Sequence, residues 1–375
     1  MSRPIHGGSL AWAARLAGCA PGELLDFSAS ISPLGPPCSV NEAIQAAFSL
    51  MGAYPDTEYG ALRMALAAYH DISPDYVLPG NGAAELLTWA ARDLAMLEGS
   101  VFSLSPGFSD YERALKAFGC VHSEVHLLHE ERWNLARWDE NFLHYLPLAG
   151  VKDFSRCGFL LNNPHNPTGA IFSRERVRSL LSQLGLVVVD EAFMDFMSPE
   201  RDQSVIDWVE AFPNLVVIRS LTKFYTMPGL RLGYAVAQPE TLRRWQQWRD
   251  PWAVNVFAAA AGVAAIQDTD FQRATWDWLA LANARLFEGL DTLPSLSPLP
   301  SCANFFLVEC AVSTTALQEA LLKRHRIYIR DCMSFQGLGD RYFRVAVKTE
   351  AENQRLLEAL ADVLPTLAGD DAYAR

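Results

Sequence analysis

Between about residues 80 and 240 the chain alternates short β-branched runs with stretches of helical pattern, and no other feature of the sequence constrains the fold as strongly. The runs fall at 101–105, 121–128, 158–162, 186–190, 215–221 and 231–237. Two of them, Val187-Val-Val-Asp190 and Leu215-Val-Val-Ile-Arg219, are apolar almost throughout, as strands are when helices cover both faces of a sheet. The pattern predicts an α/β domain with a mainly parallel central sheet, and catalytic groups at the carboxyl ends of its strands. Past about residue 270 the rhythm changes. Strand-like runs at 305–308, 327–330 and 342–347, with helices near 315–323 and 350–364, predict a smaller α+β domain. Residues 1 to about 50 have no sheet pattern of their own and are expected to cross over onto it. The expected division is therefore a large domain over 50–265 and a small one made of 1–49 and 266–375, in keeping with a length of 375 residues.

Composition narrows the function. A net charge of -12 argues against nucleic acid or an anionic membrane as the main partner, because both would be repelled. The seven cysteines are scattered, odd in number and form no CxxC pair, so they read as reduced thiols rather than a disulfide framework or a metal site. No stretch approaches the roughly 20 apolar residues that span a bilayer, and the first residues lack the apolar core of a signal peptide. A soluble, cytoplasmic protein is expected, folded throughout except for a loose tail from about Gly369.

The segment that carries the most chemistry is Ser220-Leu-Thr222-Lys223-Phe-Tyr-Thr-Met-Pro-Gly-Leu-Arg231, which follows a strand. Lysine's amine forms a Schiff base with a carbonyl, hydroxyls donate to phosphate, and arginine grips phosphate with two bonds, so the segment suits a phosphorylated aldehyde. Asp190 closes a buried strand, where a carboxylate is costly unless a cation such as a protonated pyridine nitrogen meets it. Its neighbour Glu191 falls on the other pleat face and is given no role. In Asn162-Asn-Pro-His165-Asn166-Pro-Thr-Gly169, two prolines and a glycine set a defined loop that aims Asn166 at a fixed acceptor. Gly80-Asn-Gly82-Ala83-Ala84 opens a helix with small residues whose amides an anion can approach. Phe108 stands where a ring can stack on a planar cofactor. Arg330 and Arg344 sit on strand-like segments near the C-terminus and suit anion recognition. His6, beside two glycines, is the remaining candidate. Each motif alone also has a plain structural reading, as a strand exit, a turn, a helix entry or surface charge.

Together, and in this order with Tyr59 and Glu85, these residues resemble the fold-type I pyridoxal-5′-phosphate (PLP) enzymes of the aspartate-aminotransferase type. They are most similar to the branch of histidinol-phosphate aminotransferases and threonine-phosphate decarboxylases. The resemblance covers nearly the whole chain. It implies that Lys223 carries PLP as a Schiff base, Asp190 keeps the pyridine nitrogen protonated, Asn166 meets the ring hydroxyl and Phe108 stacks on the ring. It also implies that the amides of Ala83 and Ala84, with Ser220, Thr222, Arg231 and Tyr59 from the partner of a homodimer, hold the cofactor phosphate. A small phosphorylated amino acid would be held by His6, Ser32, Asn166, Arg330 and Arg344.

Within the branch, His6-Gly-Gly followed by Leu25-Asp-Phe-Ser-Ala-Ser30-Ile-Ser32-Pro-Leu-Gly35 is more similar to the decarboxylases, which act in cobalamin biosynthesis, than to the aminotransferases. The chain departs from the usual pattern at Phe193, where many relatives have tyrosine, and at Ser30 and Ser32, where the decarboxylase pattern has asparagine. The implied reaction is decarboxylation of L-threonine O-3-phosphate. A histidinol-phosphate aminotransferase, or a silent binding module on the same fold, are the alternatives.

Overall fold

The computed structural model describes residues 3–129, 132–133 and 153–372. Its helices are α1 (Leu10–Ala17), α2 (Cys38–Ala47), α3 (Gly60–His70), α4 (Ala83–Ala95), α5 (Asp110–Ala117), α6 (Arg174–Leu181), α7 (Pro239–Trp248), α8 (Val256–Gln267), α9 (Thr269–Asp291), α10 (Thr314–His325) and α11 (Glu350–Ala372). Its strands are β1 (Leu25–Asp26), β2 (Val77–Gly80), β3 (Ser100–Ser105), β4 (Val121–His126), β5 (Leu128–His129), β6 (Arg132–Trp133), β7 (Gly158–Asn162), β8 (Leu186–Asp190), β9 (Leu215–Ser220), β10 (Gly233–Ala237), β11 (Leu296–Pro298), β12 (Phe305–Cys310), β13 (Ile327–Tyr328), β14 (Arg330–Asp331) and β15 (Tyr342–Ala346).

Two compact units result. The larger takes Leu34–His165 and Ile171–Thr275, and the smaller takes the residues up to Pro33, Asn166–Ala170 and those from Trp276 onward. The expected borders near 49 and 265 shift for physical reasons. Helix α2 packs on α8 and so stays with the large unit. The first turns of α9 stay as well, because the Gln272 amide donates to the Tyr225 hydroxyl at 3.0 Å and to the Ile266 carbonyl at 3.0 Å. Conversely, the Asn166–Ala170 loop joins the small unit, where the Cys302 amide donates to the Gly169 carbonyl at 2.8 Å.

The large unit is built on a seven-stranded sheet of order β2-β10-β9-β8-β7-β3-β4. All neighbours run parallel except β10, which is antiparallel to both β2 and β9. Leu160, Val188, Val216 and Ile218 pack against Leu86, Leu87 and Ala90 of α4 and Leu115 of α5. Each fully buried aliphatic side chain there contributes about 1.5–3 kcal/mol, which explains why the runs in β8 and β9 are apolar on both faces.

The small unit holds an antiparallel sheet of order β11-β12-β15-β14, with α10 and α11 packed on each other beside it. The N-terminal segment contributes more than a crossing: β1 pairs in parallel with β13, Leu25 opposite Ile327. Helix α11 runs on through Pro365 to Ala372, beyond the point where a loose tail was expected. Among the described residues no helix is long and apolar enough to cross a membrane.

Candidate active site

In the large unit, Asn162, Asp190 and Ile218 are register partners across β7, β8 and β9, so the carboxyl ends of these strands share one edge of the sheet. Strand β10 starts at that edge, with Gly233 opposite Ser220 on one side and Gly80 on the other. Parallel pairing plus one antiparallel return therefore gathers Asp190, the Ser220–Lys223 segment and the glycine-rich entry to α4.

The entry to α4 is tight. Gly82 has φ +77°, and a Cβ there would lie 2.5 Å from an Arg231 terminal nitrogen. A Cβ on Gly233 would come within 2.7 Å of the Ala83 amide nitrogen. Gly82 brings no side chain to cap the helix, and the first amides of a helix have no intrahelical acceptor, so those of Ala83 and Ala84 add donors and partial positive charge. Arg231 is held in the left-handed region (φ 60°, ψ 71°), and its guanidinium donates to the Pro228 carbonyl at 3.1 Å. Among the described residues no carboxylate pairs with it. The buried Ser220 and Thr222 hydroxyls lie 2.7 Å apart on the same strand exit. Amides, hydroxyls and a guanidinium without a carboxylate partner at one edge fit a phosphate group.

Lys223 sits three residues past β9 in a loop folded back by hydrogen bonds from the Met227 amide to the Thr222 carbonyl (3.0 Å) and from the Leu221 amide to the Leu232 carbonyl (3.2 Å). Its Nζ lies 4.6 Å from the centre of the Phe193 ring, so at the departure from the usual tyrosine a ring face, not a hydroxyl, meets the lysine. Asp190 is only 4% exposed. The Tyr111 hydroxyl donates to it at 2.6 Å and the Ala192 amide at 3.0 Å. Burial pushes the Asp190 carboxyl above the usual range, against the pull of the Tyr111 hydrogen bond and the charge on Lys223. A buried carboxylate with raised proton affinity is suited to a cationic partner. Half-buried Phe108 packs edge-on against Tyr111 at 5.5 Å. The phosphate cradle, the lysine, the carboxylate and the ring all belong to the large unit, and their chemistry fits PLP.

Tyr59 is placed differently from a residue reaching out to a partner. It is buried, and its hydroxyl accepts from the Val254 amide at 3.0 Å and donates to the Pro251 carbonyl at 3.3 Å.

The small unit gathers the other candidates. Arg330 and Arg344 are register partners on β14 and β15, which puts two guanidiniums on one face. Arg344 donates to the Asn166 side-chain oxygen and to the Ser28 carbonyl (3.4 Å), and lies over the Phe305 ring at 4.8 Å. Burial holds its pKa down to about 10, and the charge of Arg330 acts in the same direction. Arg330 donates to the carbonyls of Pro4 (3.2 Å) and Ile5 and to the Ser334 hydroxyl. Exposed His6 follows Ile5 in that arm, which is tied down by a hydrogen bond from the Gly8 amide to the Ser28 hydroxyl at 2.8 Å. Ser32 is buried, and the buried Ser30 hydroxyl has no partner among the described residues.

Sequence reasoning missed Tyr111, which closes on Asp190, and the pairing of Glu191 with Arg219 at 2.8 Å. The second had a signal. Arg219 is the one charge inside an otherwise apolar strand, and such a residue needs a carboxylate.

The model of the family "Aminotransferase class I and II" matches residues 22–360. A threonine-phosphate decarboxylase of Salmonella typhimurium is 39% identical over 374 residues, 98% of either chain. A histidinol-phosphate aminotransferase of Nitratidesulfovibrio vulgaris is 32% identical over 92% of this chain and 89% of its own. The crystal structure of the Sinorhizobium meliloti histidinol-phosphate aminotransferase in complex with pyridoxal-5′-phosphate superposes with a TM-score of 0.83, at 26% identity over 98% of this chain and 96% of that one. The α/β architecture, the cofactor chemistry of the large unit and these relatives agree: the chain belongs to the class I and II aminotransferase family and is a PLP-dependent enzyme.

Proposed function

We propose that the protein decarboxylates L-threonine O-3-phosphate to (R)-1-aminopropan-2-yl phosphate and CO₂, as a step of cobalamin biosynthesis. The observation that carries this reading is the register pair Arg330 and Arg344. Among the described residues Arg344 has no carboxylate partner, and the only one near Arg330, Asp331 at 3.9 Å, is itself bound by Arg3 at 3.0 Å. Two guanidiniums whose hydrogen-bond acceptors are all neutral suit a substrate bearing two anionic groups, a carboxylate and a phosphate. Histidinol phosphate has no carboxylate and cannot fill both by itself, so in the aminotransferase reading the pair would be met in full only by the dicarboxylic keto acid. The decarboxylase relative at 39% identity supports the same choice.

In this reading Lys223 holds the cofactor covalently, and Asp190, kept in place by Tyr111, balances the charge on its ring nitrogen. PLP, when bound, supplies a ring that accepts the electron pair left at Cα. Arg344, steadied by Asn166, and Arg330, with His6 and Ser32, orient the substrate so that its Cα–carboxylate bond is the one weakened. The carboxylate leaves as CO₂, and Lys223, freed as an ammonium once the substrate amine has taken its place, delivers a proton to Cα. The reading extends to a homodimer: Phe48, Leu50, Met51 and Met64 are exposed large apolar side chains, and exposed Tyr54 stacks on Trp252 at 4.5 Å, groups suited to burial against a second copy. In that dimer Tyr59 would meet the cofactor phosphate of the other copy only by giving up its hydrogen bonds with Val254 and Pro251.

The test is to incubate PLP-loaded protein with L-threonine O-3-phosphate and no keto acid, following CO₂ and amine, with the mass in solution measured alongside. CO₂ over many turnovers is expected. No CO₂, together with consumption of histidinol phosphate that depends on 2-oxoglutarate, would move the assignment to the aminotransferase.

A further inference from the structure

Beneath the cofactor edge lies a charged cluster that the proposed reaction does not use. Side chains alternate along a strand, so Asp190 and Glu191 point to opposite faces of the sheet, as do Arg219 and Ser220. The Arg219 Nε donates to Glu191 at 2.8 Å, and one terminal nitrogen donates to Asp195. Glu191 also accepts from the Ser204 hydroxyl at 2.7 Å and the Val205 amide at 2.9 Å. All three charged side chains are buried.

We propose that Arg219 is a positioning residue which, by bridging Glu191 and Asp195, locks the ends of β8 and β9 so that Asp190, Phe193 and Lys223 keep their mutual geometry. Each end of the bridge lies next to a group of the site. Glu191 follows Asp190. Asp195 is two residues past Phe193, whose ring meets the Lys223 amine. Arg219 precedes Ser220, and Lys223 comes three residues later. A buried ion cluster is a weak source of stability, since apolar side chains of similar size fill the same space without desolvating three charges. What apolar replacements cannot supply is directional bonds that fix the strand ends to within a fraction of an ångström.

The inference rests on Lys223 being the cofactor lysine, and the two are separable. Lys223→Ala in which borohydride still fixed the cofactor covalently to the chain would overturn that assignment, whatever the cluster does. The cluster is tested with the triple variant Arg219→Met, Glu191→Gln, Asp195→Leu, which removes the bridge, keeps the burial and leaves an acceptor for Ser204 and Val205. The apo form is expected to melt at or above the wild-type temperature, while its PLP dissociation constant rises about tenfold and the visible band shifts. Wild-type PLP affinity and spectrum in the triple variant would overturn the proposal. If the triple variant does not fold, Arg219→Lys, which can bond only one carboxylate well, takes its place. It is expected to show the same loss of affinity, and a lowered melting temperature with unchanged affinity and spectrum would show a purely structural cluster.

Discussion

In the large unit the buried guanidinium of Arg219 is met by Glu191 at 2.8 Å and by Asp195, whereas in the small unit the buried Arg344 has only neutral acceptors, the Asn166 side-chain oxygen and the Ser28 carbonyl. Taking a charge out of water costs several kcal/mol, and only a well-placed opposite charge offsets that. Arg219 obtains its compensation from the chain, so its proton is held far more tightly than usual despite its burial. Arg344 obtains none, and burial holds its pKa down to about 10. On the proposed function, the difference separates a charge that organises the fold from one that a ligand would complete.

Removing each arginine in the apo protein should therefore give changes of opposite sign. Arg219→Leu leaves Glu191 and Asp195 buried without their cation and is expected to destabilise by about 3–5 kcal/mol in urea unfolding. A loss below about 1 kcal/mol would break the comparison at its stronger end. Arg344→Gln removes a charge the apo fold does not compensate, so its unfolding midpoint should stay level or rise. Its kcat/KM for the phosphorylated substrate should fall about 100-fold, roughly 3 kcal/mol, because the ligand's anion loses its partner. Destabilisation of apo Arg344→Gln as large as that of Arg219→Leu would place both arginines in the same structural class.

The same contrast explains what was legible in the sequence. The parallel sheet was legible because Val187–Val189 and Leu215–Ile218 are apolar on both faces, and strand ends at Asp190 and Ser220 follow from where the apolar run stops. Lys223, Arg231 and the Gly82 helix entry could be singled out from the sequence because their chemistry is local, within a few residues of a strand end. The partners of Arg219 and Asp190 were not. Glu191 lies 28 residues from Arg219 and Tyr111 lies 79 from Asp190, and only the strand order brings them together. The domain borders were off for a related reason. Whether α2 belongs with one unit or the other depends on its packing against α8, which no local pattern records. Arg330 shows a third limit: the sequence marks it as an anion site, but not that the carbonyls of Pro4 and Ile5 occupy its donors.

His165 sharpens the comparison, because it meets burial in a third way, by giving up its proton. The ring is buried beside Phe172, and burial lowers its pKa from 6.5 to about 3, only partly offset by its hydrogen bond to the backbone of Pro106. The sign follows from the two states. As the pH falls below about 6.5 the unfolded chain binds a proton at this position and the folded chain does not, so stability declines by about 1.4 kcal/mol per pH unit until about pH 3, where the folded ring protonates too. Between pH 7 and pH 5 this removes about 2 kcal/mol from the wild type and nothing from His165→Asn. His70, whose pKa burial also lowers, adds a parallel decline to both proteins and cancels in the difference. Urea unfolding of the two apo proteins at pH 7 and pH 5 measures that difference directly. An equal loss in both would mean that the unfolded and folded chains bind the proton alike at this position, and that a neutral buried ring is not how this segment bears its burial.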